Sequence, residues 1–305
     1  MSFSTPVVLL IFNRPKLTNI LFEKIALVQP QKLLVVADGP RSTEEAKKCE
    51  ECRAVIEKID WKCEILTNFS EVNLGCKKRI SSGLDWVFSE VEEAIILEDD
   101  CIPTPSFFNF CQTLLEYYRH DERIMLISGD NFVENNSKFS YRFSKYNHIW
   151  GWGSWRRAWK YYDVEMKSWP AYKEGNFISS VCEHPVEQRY WTDIFDRVFA
   201  GSIDTWDYQW TYACWSQNGL SILPNLNLVS NIGFGINATH IINPVLENLP
   251  VNDIWDINHP LFVSRNKAMD DSAFDLLFNG RISKIKRRLL LMIKYFILKV
   301  RGRTK

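Results

Sequence analysis

The sequence predicts an α/β protein with a mostly parallel central sheet flanked by helices. Three observations carry this. Runs at 7–12, 32–37 and 94–97 are apolar almost without alternation, as strands covered on both faces are. Stretches of helical spacing separate these runs, the order that a parallel sheet with helical crossovers requires. The runs at 7–12, 32–37 and 94–97 each end in charged or polar punctuation: Asn13-Arg14, Asp38-Gly39 and Glu98-Asp99-Asp100.

The elements follow in order. Residues 7–12 form the first strand, broken by Asn13-Arg14-Pro15. Residues 16–27 have apolar positions at helical spacing. Residues 32–37 form the second strand, stopped by the turn signature Asp38-Gly39-Pro40. Ser42 or Thr43 caps a helix reaching about residue 59, with Glu44 and Glu45 near its positive end. A short third strand at 63–67 and a helix at 77–90 lead to a fourth strand at 94–97, which delivers the acidic triplet. Pro103 and Pro105 frame a turn, 107–120 is helical, and 123–128 is a fifth strand. In such sheets ligands bind beyond the carboxyl ends of the strands, so the punctuation locates a site.

The chain then changes character. Trp150, Trp152, Trp155 and Trp159 form one group of tryptophans, and Trp206, Trp210 and Trp215 a second. Helices are expected at 185–199 and 270–278, a strand and turn at 220–229, and irregular structure at 246–268. Aromatic clusters fill cores, and their flat faces also line sugar or base sites. The organisation expected is a nucleotide-binding and metal-binding half over 1–130, an acceptor half over 131–280 and a basic tail over 281–305.

Lysine and arginine number 37, as do aspartate and glutamate. The tail carries ten basic residues and no acidic one, so the rest of the chain is acidic by ten. This balance speaks against a nucleic-acid partner for the body. The tail mixes its bases with an apolar stretch too short and interrupted to span a membrane, which fits a helix on an anionic lipid surface or one packed on the domain. No secretory signal is visible, which predicts a cytoplasmic protein, peripheral to the membrane if the tail binds it. The eight cysteines are expected as reduced thiols. Cys49, Cys52, Cys63 and Cys76 have a zinc-like order, but the first pair falls in a helical segment without a turn glycine.

The acidic triplet carries the chemistry. Three adjacent carboxylates repel one another, and a hard cation such as Mg²⁺ or Mn²⁺ removes that cost. If the strand continued, Glu98 and Asp100 would point one way and Asp99 the other. Asp38 reads as a turn former or as an acceptor for a ribose or base. Arg14 suits a phosphate or a base face. Lys77, Lys78 and Arg79 follow Asn73-Leu74-Gly75 at a helix start, where anions are favoured. Asp204 and Asp207 flank Trp206, and either reads as a general base or a helix cap. His240 reads as a metal or phosphate contact, or as a structural histidine. No phosphate-binding glycine loop, dinucleotide fingerprint or nucleophile elbow occurs.

Taken together, the stretches 8–15, 35–40, 73–75, 95–108, 150–159, 202–210 and 231–235 resemble nucleotide-diphospho-sugar glycosyltransferases of the GT-A fold. The branch they are most similar to is the N-acetylglucosaminyltransferase I type, together with bacterial enzymes of surface polysaccharide and lipopolysaccharide synthesis. The resemblance spans about residues 6–240. It implies Asp100 as the direct ligand of Mn²⁺ or Mg²⁺, supported by Glu98 and Asp99. It implies that Arg14 and Asp38 hold the nucleotide, and that Trp152 and Gly153 lie beside the sugars. Asp207 falls where the family supplies its general base, but Tyr208 replaces the second acid of that segment, which leaves Asp204 open as the alternative. The expected substrate contacts are thus Arg14, Asp38, Lys78, Arg79, Glu98, Asp99, Trp152, Gly153, Asp204 and Trp206. The expected activity is inverting transfer of a sugar from a nucleoside-diphosphate donor, of which UDP-linked donors are the expected kind, to a saccharide or lipid-linked acceptor. A sugar-phosphate nucleotidyltransferase and a non-enzymatic carbohydrate-binding protein are the rivals. The first should carry a basic glycine-rich loop after strand one, and the second leaves the triplet unexplained.

Overall fold

A computed structural model describes residues 3–133, 137–233 and 249–278. His240 and the tail at 281–305 lie outside them. Among the described residues, no helix is long and apolar enough to cross a membrane.

The first half follows its sequence pattern closely. Strands β1 (Val7–Ile11), β2 (Lys32–Ala37), β3 (Glu64–Phe69), β4 (Glu93–Glu98) and β6 (Ile124–Ser128) alternate with helices α1 (Pro15–Val28), α2 (Thr43–Arg53), α3 (Gly75–Glu90) and α4 (Pro105–Tyr117). Ser42 caps α2 by accepting from the amide of Glu45 at 3.3 Å. The proline pair brackets more than a turn: Cys101–Pro103 is a short strand, β5, and Pro105 opens α4.

The second half contributes four more strands, of which only the one beginning at Leu220 is announced by the sequence pattern. These are β7 (Tyr141–Ser144), β8 (Trp152–Trp155), β9 (Leu220–Pro224) and β10 (Val229–Asn231). The eight-stranded sheet has the order β3-β2-β1-β4-β8-β6-β9-β7. Strand β8 lies antiparallel between β4 and β6, and β7 runs antiparallel to β9. The other six strands run one way, so the sheet is mixed but mostly parallel, and both halves of the chain share it.

Alternation along β1 divides the core. Val8 and Leu10 face a cluster with Leu84 of α3 and most of the tryptophans, while Val7, Leu9 and Ile11 face α1 and α4. Trp152, Trp191, Trp210 and Trp215 are buried in the first cluster. After the short helices α5 (Arg156–Trp159), α6 (Trp169–Glu174) and α7 (Ile178–Val181), helix α8 (Pro185–Phe199) closes it together with α9 (Asp207–Ser216). Each buried aromatic of this size removes about 150–250 Å² from water, on the order of 4–6 kcal/mol of gross transfer free energy. Helix α9 escapes sequence reading because residues 209–215 are all buried, so no polar stripe marks its outer face.

Candidate active site

Strand β4 ends at Glu98, and Asp99 and Asp100 turn away from it rather than continuing the alternation. The turn brings both aspartates onto one guanidinium. Arg14, at the end of β1, pairs with Asp99 through Nη2, with Nε 3.2 Å from Asp99 Oδ2 and Nη1 2.9 Å from Asp100 Oδ2. Asp99 is buried, while Glu98 and Asp100 keep partial exposure. Burial raises Glu98, and the charges of Asp100 and Asp99 raise it further. Burial likewise lifts Asp99 above the usual carboxylate range, and Arg14 only partly offsets it. Burial works against the charge on Arg14, but Asp99 and Asp100 outweigh it and raise the guanidinium.

Asp38, at the end of β2, holds the neighbouring loop. Its Oδ1 accepts from the amides of Gly39 and Leu74, both at 2.9 Å. Its Oδ2 accepts from Asn73 Nδ2 at 3.0 Å and the Gly75 amide at 3.1 Å. Four donors saturate this carboxylate. The result fixes Gly75, whose φ of 76° suits glycine, and starts α3 one half-turn earlier than its sequence pattern.

That early start carries Arg79 inward. Its guanidinium is buried, and Nη2 donates to the Asn68 carbonyl and side-chain oxygens, both at 2.6 Å. Nε has no partner among the described residues. Burial lowers Arg79, as expected of a cation lacking a paired carboxylate. A cavity of about 610 Å³ opens between these groups, lined among others by Asn13, Arg14, Asp38, Asn73, Arg79 and Glu98. It is of the size that encloses small ligands.

Asp204 and Asp207 approach from the tryptophan-rich half. A Cβ on Gly75 would lie 3.9 Å from Asp204 Oδ2, so Asp204 stands at the cavity rim. Asp207 occupies the first turn of α9, where the helix dipole favours an anion, and Thr205 Oγ1 donates to its Oδ1. Cys76, which lines the cavity, marks the convergence. Burial raises its thiol, and Glu98, Asp207, Asp204 and Asp38 add to the shift in that order.

Four expected contacts lie outside the cavity lining. Trp152 and Trp206 stack on one another with centroids 5.9 Å apart and are buried, so no ring face is left for a sugar. Gly153 is buried in β8, where a Cβ would meet Leu115 of α4 on the sheet face opposite Trp152. Lys78 is exposed and does not line the cavity. Arg14, Asp38, Arg79, Glu98 and Asp99 line it together.

Sequence reading missed what long-range pairing supplies. Strand β10 pairs with β5 and sets Asn231 Nδ2 3.4 Å from Asp100 Oδ1. Two residues on, a Cβ at Gly233 would overlap the Asp100 side chain, so a larger residue there would displace that carboxylate. Among the described residues, no group of three or more His, Cys, Asp or Glu side chains is arranged to hold a metal ion.

Asp130, just past β6, was also missed. Ser128 Oγ donates to its Oδ1 at 2.6 Å and the Trp150 amide to its Oδ2 at 3.3 Å. Burial pushes this carboxyl up to about 7. The folded protein therefore keeps a proton that the unfolded chain loses near pH 4. The stability this contributes is complete below about pH 4 and declines as pH rises towards 7, by about 1.4 kcal/mol per unit. Asp130→Asn should flatten that slope. Urea unfolding at pH 5 and pH 8 checks it: parallel losses in both proteins would show that Asp130 does not titrate this way.

No family model matches the chain, and no curated protein matches it. Solved structures do. The crystal structure of S. aureus TarS 1-349 aligns at 14% identity over 52% of this chain and 48% of that one, with a TM-score of 0.37. The chain thus spans about half the length of that structure. Galactosyltransferase LgtC, in complex with donor and acceptor sugar analogs, aligns at 12% identity over 60% of this chain and 68% of that one, with a TM-score of 0.34. UDP-glucose pyrophosphorylase complexed with UDP-glucose aligns at 9% identity over 52% and 78%, with a TM-score of 0.31.

Proposed function

We propose that this chain is an inverting glycosyltransferase that moves a sugar from a nucleoside-diphosphate donor to a saccharide or lipid-linked acceptor. One observation carries the reading: a cavity at the carboxyl edge of the sheet combines a buried guanidinium lacking a carboxylate partner with a tight acidic cluster, and has a further acid pair beside it. Arg79 answers the diphosphate, and Arg14, which lines the same cavity, contributes a second cation. Asp38 acts by holding Asn73, Leu74 and Gly75 in place beside the nucleotide. Glu98 and Asp99 flank the donor sugar.

Asp207 takes the proton from the acceptor hydroxyl, whose oxygen attacks the anomeric carbon directly while the bond to the diphosphate breaks. One displacement inverts that centre and needs no enzyme nucleophile. Asp204, at the rim, orients the acceptor.

The residues suit a divalent cation. Asp99 and Asp100 share one guanidinium and Glu98 adjoins them, which leaves an excess of hard oxygen donors and negative charge. Asp100 would hold Mn²⁺ or Mg²⁺ together with donor phosphate oxygens. Such an ion would supply charge stabilisation for the departing diphosphate. The basic segment at 281–305 suits an anionic membrane surface carrying a lipid-linked acceptor, as in synthesis of bacterial surface polysaccharide at the cytoplasmic face.

A donor panel tests the proposal. Slow release of nucleoside diphosphate from one nucleotide sugar, accelerated by an acceptor, is expected. Exchange of labelled pyrophosphate into the nucleotide sugar would instead assign nucleotidyl transfer, and binding without turnover of any donor would assign a carbohydrate-binding role.

A further inference from the structure

A second cavity, of about 440 Å³, lies along edge strand β7, far along the sheet from the acidic cluster in strand order. Its walls are Phe139, Tyr141, Arg142 and Phe143 on one side, and residues 260–262, Ser264 and Asn266 on the other. Three independent features meet there.

The first is Arg142, only 5% exposed. Its Nη2 donates to Asn131 Oδ1 at 3.0 Å and its Nη1 to the Pro224 carbonyl at 3.3 Å, both neutral acceptors. Nε has no partner, and no carboxylate pairs with the guanidinium among the described residues. Asp270 is the carboxylate whose charge reaches it, but Asp270 accepts from Ser144 Oγ at 2.5 Å and the Lys145 amide at 3.3 Å, and faces Arg265. Burial lowers Arg142 to about 10. A buried cation without a counter-charge is costly, and a ligand anion removes that cost.

The second feature is the start of helix α10 (Lys267–Leu277). Asn266 is its N-cap and lines the cavity, so the positive end of an 11-residue helix lies at this wall. The third is the rim. Leu261 and Phe262 are 77% and 78% exposed, the two most open large apolar side chains described. Adjacent apolar side chains left in water beside a cationic recess fit a ligand with an apolar chain.

We propose that this cavity seats the headgroup of an anionic phospholipid, with its phosphate on Arg142 and its acyl chains along Leu261 and Phe262. Hydroxyl and amide groups of Ser137, Ser264 and Asn266 surround the recess, which suits a tetrahedral group with several acceptor oxygens better than a carboxylate. The inference is independent of the sugar-transfer reading.

Calorimetric titration of the full chain with monomeric dioctanoyl phosphatidate tests it, with dioctanoylglycerol and inorganic phosphate as comparison probes. Phosphatidate is expected to bind one per chain, at least about tenfold tighter than either probe. Arg142→Gln should weaken it about tenfold or more. Leu261→Ser with Phe262→Ser alters only exposed positions and remains informative if R142Q does not fold. That double variant should weaken phosphatidate about tenfold while leaving inorganic phosphate unchanged. Equal affinity for inorganic phosphate would reduce the site to a free-anion site. Undiminished phosphatidate binding in both variants would move the binding elsewhere, to the basic segment at 281–305, which both retain. Absent binding, or a dimer that the double variant abolishes, would equally overturn the assignment.

Discussion

Asp207→Asn is expected to lower kcat by about 10²–10⁴-fold while leaving donor affinity within a few-fold of the parent, as loss of a general base does. The local geometry makes this substitution clean. Thr205 Oγ1 donates to Asp207 Oδ1, and an asparagine carbonyl can accept that bond in its place. The side chain is partly exposed in the first turn of α9, so no buried charge is stranded. Asp204→Asn provides the comparison, because Asp204 is exposed at the rim. A smaller loss, expressed chiefly in the acceptor KM, is expected there. If D207N turned over at the parental rate and D204N did not, the two roles would have to be exchanged.

Arg14→Met is expected to destabilise the fold by about 3 kcal/mol, the low end for removing one partner of a buried ion pair. The low end applies because Arg14 keeps 30% of its side-chain exposure while Asp99 keeps 2%. Asp99 is already held above its ordinary value by burial, and losing Arg14 raises it further. A carboxyl raised in the folded state favours folding at low pH and loses that contribution as pH rises. The deficit of the variant should therefore be small at pH 5 and larger at pH 8, read by urea unfolding. Removing the guanidinium also frees Asp100 Oδ2 and deepens the negative field of the cluster. Manganese should accordingly raise the Tm of R14M more than that of the parent. A variant as stable as the parent at pH 8, with no greater response to manganese, would mean that the ion pairs do not hold the turn.

These effects show how unevenly the molecule is written into its sequence. Strands β1, β2 and β4 were legible because a strand covered on both faces is apolar throughout, and helices between such runs leave few arrangements. Strand β8 was not, although it is as central as β4. Its residues are Trp-Gly-Ser-Trp, and its place between β4 and β6 is set by partners some sixty and twenty-five positions away in the chain. Strand β10 is three residues long and gains its meaning only from β5.

Local periodicity sets the strands and breakers set their ends, so the order of residues alone gathers acids and bases at the carboxyl edge of a mostly parallel sheet. What each charge faces follows from the folded arrangement. It turned Asp99 and Asp100 onto Arg14, committed Asp38 to the Asn73–Gly75 loop, buried Arg79 without a carboxylate and enclosed Trp152 and Trp206 in the core. The reason is physical. A side chain's burial and charge state depend on neighbours brought across the sheet, and those neighbours lie tens to more than a hundred residues apart in the chain.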